Sequence, residues 1–204
     1  MGRKPIEKPR NSNAEKRAKW IRQLFPFFKS RGLAGFSMDD VSDFLRISKA
    51  TIYNHYTSKD EIIDCYLSEK CRDFDKFNEL ISSEAFSIPD RYQKSLYHLL
   101  KHMCDLSPVV REDLKTYYPD KWAAFMILLD DHLDRLKKLY QTGIDQGIFN
   151  PVNPKLLSIC DRNMLLFLSD SENLSKCGLT MRSAFDEFMY MRRSGLINQT
   201  QVVV

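Results

Sequence analysis

The stretch "FSMDDVSDFLRISKATIYNHYTSKDEII", Phe36–Ile63, holds two short amphipathic segments and the start of a third within 28 residues. Ser37 precedes Met38–Leu45, where Val41, Phe44 and Leu45 recur at helical spacing, and Ser48 precedes Lys49–Tyr56. A Ser at that place is a helix start signal, because its hydroxyl accepts one of the N–H groups the first turn leaves unbonded. Only Arg46 and Ile47 lie between the two segments, so the pattern is helix, tight link, helix.

On a wheel of about 100° per residue, Ile52 and Tyr56 fall on one side of the second segment, where with Ile47 they form core. Ala50, Thr51, Asn54 and His55 cover the opposite arc, flanked near the N-terminal end by Lys49 and Tyr53. Hydroxyl, amide and imidazole groups are costly to bury without partners, so this arc faces water or a polar surface. A DNA major groove fits it: hydroxyls and amides bond base edges or phosphates, and a small residue permits close approach. Lys49 and Lys59 stand where they could neutralise phosphate, and Ser37 offers another phosphate a hydroxyl beside helix N–H groups. An ordinary solvated helix face would carry the same residue types. The short link and the charge distribution favour the groove.

That charge is uneven. The chain has 204 residues and a net charge of +4, yet residues 1–60 hold 13 Lys/Arg against 6 Asp/Glu, and the remainder holds 18 against 21. A basic head on a slightly acidic body implies a polyanionic partner for the head alone.

Working outward, "TSKDE" places Ser58 and Glu61 as a capping box opening a long helix, Lys59–Ser82, with Ile62, Ile63, Tyr66, Leu67, Phe74 and Phe77 as its apolar residues. Upstream, Ser12–Glu15 reads as a capping box for a first helix running to about Arg31, stopped by Gly32 and kinked at Pro26. Its inner stripe is Ile21, Leu24, Phe25 and Phe28. Further helices are expected at Pro89–Leu106, Pro108–Tyr117, Pro119–Gly147, Pro154–Ser169 and Met181–Ser194, about nine in all, with a frayed tail from Gln199. Only 7 Gly and 8 Pro leave few turns, which points to an all-α chain of long helices. The division expected is a head over 1–57, with a basic arm at 1–12, and a helical body over 58–204.

No apolar run reaches a membrane span, and "MGRKPIEKPRNSN" lacks the apolar core of a signal peptide. The five cysteines are scattered with no CxxC pair, as in a reducing compartment, so a cytoplasmic protein is expected, with no membrane partner. Phosphate-binding, nucleophile-elbow and zinc-protease motifs are missing, so no enzyme and no cofactor are expected. His98, His102 and Asp105 share one helix face, but no further ligand stands with them, and no metal is expected.

The pieces "FFKSRG", "FSMDDV" and "ISKATIYNHYTSKDEII" together resemble the DNA-binding signature of the tetracycline-repressor (TetR) family of bacterial regulators, over about Ala14–Leu67. The resemblance implies that Ser37, Thr51, Tyr53 and Lys59 contact phosphate, and that Lys49, Ala50, Asn54 and His55 face bases. Two departures stand out: Pro26, and Arg46 where the family usually has Gly. A non-Gly residue in a left-handed turn costs about 1 kcal/mol, so either the turn differs or the Arg46 charge reaches DNA. The arm "GRKPIEKPR" is either a minor-groove contact or a solvated tail.

The resemblance further implies a ligand cavity in the body and dimerisation through the last two helices. Cavity candidates are Tyr66, Phe74, Phe77, Tyr97, Met103, Trp122, Phe125, Met126 and Leu129, an apolar and aromatic set suited to a lipophilic or flat effector; the same stripe would also serve as plain core. Leu156, Leu157, Cys160, Met164, Leu165, Phe167 and Leu168, with Phe185, Phe188, Met189 and Met191, are more apolar residues than one face can hide, and paired with a second copy they would form a four-helix bundle. The expectation is a ligand-responsive homodimeric regulator, a repressor on a near-palindromic double-stranded operator. The alternative is a helical protein-interaction module whose DNA-binding head is secondary.

Overall fold

The computed structural model describes residues 10–72 and 74–197. They form twelve helices and no strand; Phe149 and Ile197 make an isolated antiparallel bridge. The helices are α1 (Arg10–Gln23), α2 (Phe25–Arg31), α3 (Met38–Leu45), α4 (Lys49–Tyr53), α5 (Lys59–Cys71), α6 (Phe74–Ser82), α7 (Ile88–Asp105), α8 (Pro108–Tyr117), α9 (Pro119–Asp145), α10 (Pro154–Leu168), α11 (Ser171–Cys177) and α12 (Met181–Leu196).

The all-α expectation holds, and three local events raise the count from about nine. Pro26 breaks the first helix instead of kinking it: α1 stops at Gln23, and Pro26 takes a first-turn place in α2, where its missing N–H costs nothing. Helix α1 is also already helical at Arg10, so Ser12 lies inside it and is not its cap, and the expected arm keeps only residues outside the described ones. The long helix from Lys59 ends at Cys71 and not at Ser82. No glycine or proline stands there; the break falls where the chain passes from one packing unit to the next. Finally, Asp170 caps α11 through the Glu172 N–H, and Gly178 closes it in the left-handed region, two signals the apolar pattern hid.

The helices group into two compact units: α1–α5 with α8, and α6, α7 and α9–α12. Packing thus draws the division after Arg72, beyond the 57/58 boundary, and brings α8 to the first unit.

In the first unit, α1 lies along α5. Arg17 pairs with Glu61 and reaches Cys65 Sγ at 3.3 Å, and the Tyr56 hydroxyl donates to the Arg17 carbonyl at 2.8 Å. An aromatic cluster fills the centre, with Phe28 ringed by Phe36 at 5.1 Å and Tyr66 at 5.0 Å. Phe44, expected inside, is 45% exposed and leans on Phe27. From α8, the Asp113 carboxylate accepts the Leu33 and Ala34 N–H groups at 2.6 and 2.9 Å, and the Ala34 carbonyl accepts from Lys59 at 2.5 Å. Gly32 turns this loop at φ 78°, and a side chain there would strike the Asp113 carboxylate.

In the second unit, α9 packs on α7 and α10, with α6 beside α7 and α9. Its polar centre is Asp161, fully buried, which accepts from Arg192 at 2.5 Å, from Tyr92 at 3.2 Å and from Tyr140. One carboxylate therefore ties together α7, α9, α10 and α12. After α9, Gly147 at φ 70° reverses the chain, and the Phe149 ring folds under Gly143 so closely that a methyl group has no room.

Candidate nucleic-acid interface

Helix α4 is built by its flanks. The Ser48 hydroxyl accepts the Thr51 N–H at 3.1 Å and meets Thr51 Oγ1 at 2.8 Å. Ile52 is buried and anchors the helix on its inner side. The helix ends at Tyr53, three residues before the expected Tyr56, because Asn54 serves as its C-terminal cap and Tyr56 leaves the helix to enter the core. Ahead of it, Ser37 and Asp40 form a reciprocal capping box on α3. The Ser37 bonds, more than the Arg31 charge, hold the Asp40 carboxyl below its ordinary pKa.

The link between α3 and α4 settles the question raised by Arg46. Its backbone stands at φ 54°, ψ 44°, so the family's left-handed turn is kept with a non-glycine residue. The turn is bonded on three sides. Arg46 N–H reaches the Asp43 carbonyl at 3.3 Å, Ile47 N–H reaches the Ser42 carbonyl at 3.1 Å, and the hydroxyl of buried Ser42 donates to the Ile47 carbonyl at 2.6 Å. This is a Schellman closure, and these bonds offset the left-handed penalty.

Of the expected DNA residues, Ser37, Arg46, Lys49, Ala50, Tyr53 and Asn54 are exposed and Thr51 is half-exposed. They lie along α4 and at the two ends of α3. Lys49 is not free: its ammonium pairs with the Asp39 carboxylate at 2.5 Å, and that bond raises its pKa. His55 does not join the face. Its ring stands edge-on against Trp20 at 4.8 Å with Nδ1 buried, and burial, with the Lys16 and Arg17 charges nearby, lowers its pKa. Lys59 is engaged as well, over the Phe36 ring at 4.6 Å while it donates to Ala34. Sequence reading missed Asp39, Trp20 and Asp113. Asp39 and Asp43, four apart on the outer side of α3, were the available sign of the first.

The effector candidates are not brought to one wall. Tyr66 belongs to the aromatic core of the first unit. In the second, Phe77, Met103, Phe125 and Leu129 are buried, Trp122 and Met126 are half-buried, and the Phe74 side chain lies outside the described residues. Tyr97 lines a cleft of about 270 Å³ between α7 and α12 whose other walls, Asp90, Gln93, Lys94, Arg182 and Asp186 around Phe185, are mostly charged. His98 and His102 meet through Nε2 atoms 3.1 Å apart, Asp105 is exposed, and no cluster of three metal-ligating groups forms among the described residues.

The dimer candidates divide. Leu156 and Phe167 are exposed at 55% and 41%, Cys160 is exposed and Met164 half-exposed, whereas Leu157, Phe185, Phe188 and Met189 are buried in their own chain. The outward apolar residues of α12 are Met191, among those expected, and Tyr190, which the sequence reading did not favour.

Comparison with known proteins bears on the whole arrangement. The family model of bacterial regulatory proteins, tetR family, matches residues 27–64, from α2 into α5. The HTH-type transcriptional regulator YvaF of Bacillus subtilis is 22% identical over 67% of this chain and 72% of its own, and YfiR of the same organism is 31% identical over 62% and 64%. A TetR transcriptional regulator from Chloroflexus aurantiacus shares the fold at a TM-score of 0.73 and 15% identity, over 92% of this chain and 98% of its own. AibR, whose structure was solved with isovaleryl coenzyme A and operator DNA, does so at 0.62 and 16%, over 86% and 97%. None of the described helices is long and apolar enough to cross a membrane. Residues 27–64 thus match the tetR family of bacterial regulatory proteins, and the chain as a whole shares the fold of solved TetR regulators.

Proposed function

We propose that the protein is a ligand-responsive homodimeric repressor that sets α4 into the major groove of a near-palindromic operator. The observation that carries this reading is the division of α4 itself: Ile52 is fully buried while Lys49, Ala50, Tyr53 and Asn54 stand in solvent with no core to cover them. Affinity then comes largely from Lys and Arg at phosphates and falls steeply with salt, and α4 supplies sequence preference.

The second copy joins through the outward row of α10, Leu156, Ile159 and Phe167, together with Tyr190 and Met191 of α12. A short reading helix gains from this pairing because two half-sites on one duplex add their contacts. The effector is a small lipophilic or aromatic molecule held in the second unit, where the buried candidates are apolar. AibR supports the combination, as a protein of this fold solved with both an acyl-coenzyme A and operator DNA. Effector binding shifts α5 and with it the separation of the two reading helices, which must match one helical turn of about 34–36 Å.

The test is selection of bound sequences from a random duplex pool at near-physiological salt. A two-fold symmetric motif is expected. Recovery of nothing above non-specific background sinks the reading and leaves the protein-interaction module in its place.

A further inference from the structure

Most of the head's cations are already engaged within it. Arg17 pairs with Glu61, Arg22 and Arg72 with Glu69, Arg31 with Asp40 and Lys49 with Asp39. Lys59 donates to the Ala34 carbonyl. Lys16, Lys19, Lys29 and Arg46 are exposed and form no ion pair among the described residues. Of these four, Arg46 and Lys16 adjoin the two ends of α4.

Arg46 stands just ahead of Ser48, the cap of α4, with its backbone left-handed at φ 54°. A glycine would hold that turn with less strain, so what the position gains from arginine is its exposed side chain. Lys16 flanks the other end. Its ammonium lies over the Trp20 ring at 4.8 Å, and Trp20 meets His55, just beyond α4, at 4.8 Å. After burial, the Lys16 charge is the largest cause that lowers the His55 pKa, which reflects how near the two stand. Helix α4 has five residues, about 7.5 Å of axis. A major groove is about 12 Å wide, so long side chains at both ends of so short a helix reach its phosphate walls.

We propose that Arg46 and Lys16 are a phosphate clamp, one cation at each end of the reading helix, gripping the duplex backbone without reading its bases. The inference rests on the DNA-binding reading above and names two of the contacts that supply its affinity. The planar Arg46 fork donates two N–H bonds to one phosphate, and the Trp20 ring seats the Lys16 ammonium beside the groove. Such contacts fix register and carry no sequence information.

The natural chain, Arg46→Gly, Arg46→Lys and Lys16→Gln would be titrated by fluorescence anisotropy on the selected duplex and on an unrelated one, at several salt concentrations. Arg46→Gly is expected to melt no lower than the natural chain, because the turn is relaxed. It should still lower the slope of log K against log salt by about 0.9 for each copy bound and weaken both duplexes alike. Lys16→Gln, which keeps most of the stem, should do the same, and Arg46→Lys should restore the slope. An unchanged slope in either neutral variant overturns the proposal. So does weakening confined to the selected duplex, which would make these residues base readers, or a fall in slope that comes only with a lower melting temperature, which would make them supports of the fold. If the selection yields no duplex for the natural chain, the DNA-binding reading fails first and takes the proposal with it.

Discussion

His55 shows how far residue type alone reaches. On a helical wheel it belongs to the outward arc with Asn54, but α4 ends before it, and its ring turns back onto Trp20. The contact with Trp20 joins the end of α4 to α1. His55→Ala is expected to cost about 0.5–1.5 kcal/mol, the worth of an edge-on aromatic contact, visible as a lower melting temperature together with weaker operator binding. His55→Phe keeps the packing and should retain affinity; full loss of affinity in that variant, with stability intact, would return His55 to the base-reading set. Arg46 is the opposite case. The sequence showed that a non-glycine residue sat in the link, but the three bonds that close the turn, above all Ser42 to the Ile47 carbonyl, became visible only with the backbone in place.

At the scale of elements, the turn after α9 offers a direct check. Gly143 accepts the Phe149 N–H at 3.0 Å through its carbonyl, and the Phe149 ring occupies the space a side chain would need. Gly143→Ala should therefore cost about 1–3 kcal/mol by overpacking; a denaturation midpoint equal to that of the natural chain would refute the close approach. The helices themselves were largely legible. Ser37, Ser48 and Ser58 cap as expected, and the starts of α8 and α10 follow their prolines. The breaks were not legible for a physical reason. Residues around Cys71–Phe74 have no helix-breaking chemistry, and the helix stops there because its two halves bury into different units. Likewise α8 lies far from the head in sequence and joins it through Asp113, a contact of 80 positions' separation that no local pattern announces.

Across the whole molecule, the second unit depends on one buried carboxylate. Asp161 and Arg192 pair with side-chain exposures of 0% and 16%, and Tyr92 and Tyr140 complete the carboxylate's bonds. Burial raises the Asp161 pKa, and the Arg192 charge opposes that rise. Removing one partner of such a pair strands the other charge, which costs about 3–5 kcal/mol. Asp161→Ala should lower stability by that order, and because α10 and α12 are both tied to it, self-association measured by sedimentation should weaken in parallel. Retained self-association in a clearly destabilised variant would place the second copy elsewhere than on α10 and α12. Polar residues inside an apolar stripe escaped the sequence reading because an Asp at helical spacing among leucines looks solvated until its partners, 21 to 69 positions away, are known.

The central claim is that the solvent side of α4 reads DNA, and the direct measurement is operator affinity of a variant with that side removed and its anchor kept. Thr51→Ala, Tyr53→Ala and Asn54→Ala together leave Ile52 and the core untouched. Titrated on the selected duplex at fixed salt, this variant should bind no better than to unrelated sequence, with a melting temperature near that of the natural chain. Operator affinity equal to the natural chain's, in a protein that is still folded, would contradict the account.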